Sequence, residues 1–236
     1  MERLWLVPTF VILSFLAIGP LAAHFRVLAP LAGFGLLVLA VLIGVVFGIA
    51  LAGAAAFASV TAKPWRRRAV RGAIVPLLVG VPVMALVTTS KVPPIHDIST
   101  DLADRLEFSP AVNTASPNKD YEGPDRERVD DMQRESYPTV APIRLTLPPA
   151  DAFERARKVA AGMPGWEVTQ ADPQAGRIEA TATSSFFHFV DDLVIRVRPD
   201  GGGSRVDVRS RSRVGVGDKG ANAKRVLANT AALQAG

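Results

Sequence analysis

The sequence predicts an α-helical transmembrane anchor of three spans followed by one small α+β domain, an antiparallel sheet of about five strands with two helices on one face. Three observations carry that expectation. The long apolar runs lie almost entirely before Lys91. Beyond residue 142, short stretches alternate apolar and polar residues with period two between Gly- and Pro-rich turns. Charge is partitioned too: residues 1–90 hold seven Lys or Arg against one acid, and residues 91–236 twenty against twenty-one, so the net +5 belongs to the apolar part.

The first apolar run, residues 4–23, has about the twenty residues that cross a ~30 Å hydrocarbon core. Its basic start and Leu21-Ala22-Ala23 resemble a signal peptide, but another apolar run follows at once, so a retained span is expected. The second span, 28–62, is longer than one crossing needs and contains Gly44-x-x-x-Gly48 and Ala52-x-x-x-Ala56. Small residues at that spacing let helix backbones approach closely in lipid, either within the chain or in a homo-oligomer formed through Gly44 and Gly48. The third span, 72–89, contains Pro76 and Pro82, which membrane helices tolerate.

Lys63, Arg66, Arg67, Arg68 and Arg71 lie between the second and third spans. Basic loops stay cytoplasmic, which predicts a multi-pass protein of a bacterial-type inner membrane with its N-terminus in the cytoplasm and its C-terminal domain in the periplasm. Trp5 and Trp65 fall at span ends, where amphipathic rings favour the headgroup level. No span carries a charge at mid-membrane, as transporters and proton relays need, so region 1–90 reads as an anchor and the lipid bilayer as its first partner. Basic residues placed this way set topology, and nucleic acid is not an expected partner. The chain has no cysteine, which removes disulfides, thiolate nucleophiles and thiolate metal sites.

Residues 91–141 are Pro-rich and acidic, with eleven acids against six bases and no sustained periodicity, and read as an extended segment that spaces the domain from the membrane or packs on it. The domain follows at 142–236 as β-α-β-β-β-β-α. Ile143 to Leu147 alternates as a strand. Pro148-Pro149 opens a helix running to about Met163, with Phe153, Ala156, Val159, Ala160 and Met163 along one stripe. Strands are expected at 166–170, 177–183, 192–198 and 205–213, the last two joined across 199–203. A final helix, about 218–234, takes Asp218 as its N-cap.

Alternation assigns the faces. Trp166, Val168, Ile178, Ala180, Ala182, Leu193, Ile195, Val197, Val206 and Val208 point to the core. Arg177, Glu179, Arg196, Arg198, Arg205, Asp207, Arg209, Arg211 and Arg213 point away from it, with Arg196 opposite Asp207 and Asp192 opposite Arg211. Three fates suit such a face: solvation, cover by the acidic residues 97–135, or an anionic ligand, since guanidinium forks fit phosphate and carboxylate.

The block from Phe187 to Gly215, through Asp191, Asp192, Arg196, Arg198 and the alternating Arg205 to Arg213, followed by Asp218-Lys219-Gly220-Ala221-Asn222, resembles the family known as domain of unknown function 1499. His96-Asp97-Ile98-Ser99-Thr100-Asp101 and Gly165-Trp166 resemble it as well. The resemblance covers about Val92 to the C-terminus. It implies N-terminal membrane spans, common among members, and no activity.

Catalytic motifs are weak. Gly215-Val-Gly-Asp-Lys-Gly220 spells a dinucleotide-binding pattern but lacks the following strand and the ribose-binding acid, so no cofactor is expected and Lys219 stays only as part of a candidate anion cradle. Ser184, Ser185, His188, Asp191 and Asp192 supply the residue types of a hydrolase triad, which geometry and not sequence proximity assembles. His96, Asp97, His188 and Asp191 supply metal-ligand types, but nothing in the sequence brings them together and no metal is assigned. The candidate ligand-binding residues are Arg196, Arg198, Arg209, Arg211, Arg213, Asp191, Asp192 and Lys219. The expected function is binding or interaction, with an anionic lipid headgroup, an envelope polymer or a partner protein. The alternatives are an envelope enzyme acting on lipid or polysaccharide through Asp191 and Asp192, and a structural subunit of a membrane complex.

Overall fold

Helices account for most of the described residues of each apolar run. A computed structural model describes residues 7–61, 64–89 and 92–235. The chain divides into a helical unit, Met1–Lys91 with Phe186–His188, and a sheet unit, Val92–Ser185 with Phe189–Gly236.

In the helical unit, α1 spans Val7–His24, α2 Pro30–Val60 and α3 Arg66–Thr88. Arg26, in the left-handed region at φ 59°, ends α1, and Val27 N–H reaches back to the Ala22 carbonyl at 2.8 Å, a Schellman closure. Pro30 then supplies the first residue of α2, where its missing N–H costs nothing. Small residues set the packing. A Cβ at Gly33 would overlap Ala23, and one at Gly48 would come within 2.8 Å of the Leu77 side chain. Gly48 thus packs against α3 of the same chain, and Gly44 is buried one turn before it on α2.

Pro30–Val60 and Arg66–Ala85 are long and apolar enough to cross a membrane. Val46, Ile49 and Phe57 on α2 and Leu78 on α3 are large apolar residues left exposed. The expected first crossing, 4–23, starts outside the described residues.

In the sheet unit, β1 (Asp97–Ser99), β2 (Ile143–Leu145), β3 (Trp166–Asp172), β4 (Arg177–Thr183), β5 (Val190–Asp200) and β6 (Gly203–Ser212) form one antiparallel sheet in the order β1-β6-β5-β4-β3. β2 pairs with the start of β6 and β1 with its end. The sixth strand is β1, from the acidic segment. Helices α6 (Pro149–Gly162) and α7 (Ala221–Ala235) cover one face, where Ile178, Ile195, Val197, Val206 and Val208 are buried with Phe153, Val226 and Leu233. The expected cross-strand pairs Arg196–Asp207 and Asp192–Arg211 are both present.

The extended reading of residues 91–141 is corrected. Besides β1, this segment forms α4 (Pro110–Ala115) and α5 (Gly123–Ser136). α5 presents few apolar residues, so its helical period is faint, but Gln133 accepts from Ser99 N–H at 3.1 Å and donates to Ser99 C=O at 2.7 Å. That side-chain amide shields the edge of β1 as a further strand would.

Candidate functional site

Strand β6 alternates, so Arg205, Asp207, Arg209 and Arg211 line the face opposite the helices, beside Arg196 and Arg198 of β5. The strap from Thr100 to Asp120 lies on this face. Leu106, Phe108 and Val194 form a small apolar core beneath it, and Phe108 sits under two guanidiniums, 4.7 Å from Arg209 and 4.4 Å from Arg211.

The charges form two balanced clusters. In the first, Arg209 grips Asp97 with two hydrogen bonds, 2.9 and 2.6 Å, and reaches Asp120 at 2.7 Å. Arg211 pairs with Asp120 and donates to Asn113 Oδ1 at 2.9 Å. Arg105 pairs with Asp130 and lies 3.2 Å from Asp97, an ion pair without hydrogen-bond alignment. In the second cluster, Arg196 reaches Asp207 at 3.0 Å and Asp104 at 3.1 Å. Arg198 holds Asp104 at 2.7 Å and Asp101 at 3.2 Å, and Arg205 holds Asp101 and, at 2.8 Å, Asp207. Each cluster sets three arginines against three aspartates. A face that reads as cationic in the isolated strands is therefore neutral in the fold.

Asp191 and Asp192 are neighbours in sequence but point to opposite faces. Asp192, fully buried, takes a two-pronged contact from Arg213 on the strap side. Asp191 meets Arg225 of α7 at 2.8 Å on the helix side. They do not form a carboxylate pair. Ser184 Oγ accepts from Phe189 N–H, and His188 donates through Nε2 to the His24 carbonyl at 2.9 Å. Among the described residues no group of three or more His, Asp or Glu is placed to hold a metal. The anion position at the start of α7 is taken by Asp218, which accepts from the N–H groups of Gly220 and Asn222 at 2.8 and 2.6 Å, and Lys219 lies in that turn with φ 53°.

Sequence reasoning missed a second polar corner. Tyr121 Oη lies 2.6 Å from His96 Nδ1, and burial pushes the Tyr121 hydroxyl pKa up to about 12. His96 Nε2 is buried with no partner among the described residues. Nor does the sequence pair Asp97 and Asp101 with their arginines or single out Asp104, Asp120 and Asp130. Their signal is the acidic excess of residues 91–141 facing an arginine-rich strand.

Burial alone would raise the Asp97 pKa, but Arg209, then Arg105 and Arg211, outweigh it and hold the carboxyl below its ordinary value. Burial also works against Glu179, and hydrogen bonds from Ser109 with Arg177 beside it bring its pKa below the ordinary value. At Asp192 and Asp218 burial prevails and the pKa is raised. Asp97 and Glu179 therefore contribute stability that is present above the unfolded carboxylate range, about pH 4, and lost as pH falls through their lowered folded values. Asp192 and Asp218 act in the opposite sense, losing stability as pH rises from about 4 through their raised values. Thermal unfolding in detergent, followed by tryptophan fluorescence, is expected to show a midpoint that drops on acidification below about pH 4. Glu179→Gln should flatten that drop; an unchanged acid limb would remove Glu179 from the account.

The family described as Protein of unknown function (DUF1499) matches residues 97–233, the stretch that forms both the strap and the sheet. Comparison with curated proteins gives no match. Among solved structures, the crystal structure of TTHA0849 from Thermus thermophilus aligns at 11% identity over 40% of this chain and 90% of that one, with a TM-score of 0.24, a level that carries no argument. With more than half of its length matched, including every strand of the sheet, this chain belongs to the DUF1499 family of proteins of unknown function.

Proposed function

We propose that the chain is a membrane-anchored interaction module, a non-catalytic folded unit held at the bilayer by apolar helices. The observation that supports it is the neutral lattice. Guanidiniums that could polarise a substrate or hold an anion are engaged by the chain's own carboxylates, three against three in each cluster. That favours a partner protein over an anionic headgroup or envelope polymer, because an anion would have to displace Asp101, Asp104 or Asp120.

In this reading the N-terminal region crosses an inner membrane three times, with Lys63 and Arg66–Arg71 on the cytoplasmic side and the sheet unit in the periplasm. Protease added to intact spheroplasts is expected to digest the sheet unit while leaving the helices; protection until lysis would overturn the orientation. Inorganic polyphosphate is expected to leave the thermal midpoint of the purified protein unchanged. A concentration-dependent rise would restore the anionic ligand.

A further inference from the structure

We propose that the tip of the β4–β5 turn, Phe186-Phe187-His188, is an interfacial membrane anchor, seated at the boundary between headgroups and acyl chains. The inference rests on the membrane reading above and adds to it a lipid-binding element outside the apolar runs.

The turn is built as a finger. Ser184 and Phe189 close its neck, Ser184 N–H donating to the Phe189 carbonyl at 2.8 Å and Phe189 N–H to Ser184 Oγ at 2.9 Å. The three residues at the tip belong to the helical unit. There the Phe187 ring stands edge-on to Phe34 at 5.6 Å between centroids. Phe34 is the fifth residue of α2, roughly 6 Å along the axis from its start at 1.5 Å per residue. A side chain packed on it shares that shallow depth in a helix that crosses a bilayer.

Polar contacts fix the tip to the end of α1. His24 Nδ1 donates to the Phe186 carbonyl at 3.2 Å, and His188 Nε2 donates to the His24 carbonyl at 2.9 Å. The His24 ring stacks on Phe186 and on His188 at 5.1 and 5.7 Å. His188 holds a left-handed backbone, φ 57°, that side chains rarely adopt and that these contacts maintain.

Phe186 is nonetheless 46% exposed, and at the same end of the unit Phe25 is 71%, Val27 76% and Leu31 51% exposed. Large apolar residues left uncovered beside a crossing helix, mixed with imidazoles, have the composition of an interfacial belt. Lipid is the occupant this continuity with α2 selects.

The absence of cysteine makes the test direct. Full-length Phe186→Cys, Val46→Cys and Lys158→Cys, each carrying an environment-sensitive fluorophore, are reconstituted in phosphatidylcholine–phosphatidylglycerol vesicles. Val46 is exposed midway along α2, and Lys158 is exposed on α6. The label at 186 is expected to be quenched several-fold more by a shallow spin-labelled lipid than the label at 158, and to be shielded from aqueous iodide. Iodide quenching at 186 equal to that at 158, with lipid quenching intact at 46, would overturn the anchor and leave the membrane reading standing. Shielding of 186 from both quenchers would also overturn it, assigning the tip to a protein partner or a second copy. Loss of lipid quenching at 46 would overturn both readings together.

Discussion

Asp97→Asn is expected to destabilise the sheet unit by about 3–5 kcal/mol, the scale for removing one partner of a buried ion pair. Asp97 and Arg209 have side chains only 1% exposed, and the amide would leave Arg209 dependent on Asp120, which is 38% exposed, and on the Leu106 carbonyl. Arg105 would lose a neighbour in the same step. Urea unfolding in detergent, read by tryptophan fluorescence, measures the loss. The double variant Asp97→Leu/Arg209→Met is expected to be more stable than either single one, because apolar residues of similar volume often replace a buried pair at little cost. Asp120 would still have Arg211. A shift within about 0.5 kcal/mol for Asp97→Asn, the range of ordinary surface substitutions, would show that the lattice does not hold the strap. Glu154→Gln, on an exposed pair of α6, is the control with no expected change.

What the sequence reveals of this fold follows from which forces have a period. Alternation in β5 and β6 is local, and it places Ile195, Val197, Val206 and Val208 inside and Arg196 opposite Asp207. The core stripe of α6 is legible for the same reason: Phe153, Ala156 and Ala160 are buried. The strap is ordered by contacts that span the chain, such as Arg209 with Asp97 and Asp120 at separations of 112 and 89 residues. Coulombic pairing over such distances leaves no periodic trace in residues 91–141. β1 has three residues, too short for an alternation to register, and α5 is mostly polar with Asp125–Arg128 and Asp131–Arg134 on its exposed side. The candidate arginines are legible as one face, but the acids that neutralise them come from a segment whose only mark is its charge.

Gly176→Val is expected to cost roughly 3 kcal/mol or more, from two sources that can be separated. Gly176 closes the β3–β4 turn at φ 62°, where a β-branched residue is a genuine outlier, and a Cβ there would overlap the Val197 carbonyl oxygen. Gly176 C=O also accepts from Val197 N–H at 2.7 Å, so relieving the overlap breaks a ladder bond between β4 and β5. Gly201, in the β5–β6 turn, has φ 58° and nothing within 4 Å of a built Cβ. Gly201→Val carries the conformational penalty alone, about 1–2 kcal/mol. In sequence the two positions are equivalent: each is a glycine in a short polar turn between alternating strands. The difference between their unfolding free energies therefore isolates the contribution of close backbone approach at the β4–β5 ladder. Equal losses at both positions would mean that the turn conformation sets the cost and that the approach at Val197 relaxes freely.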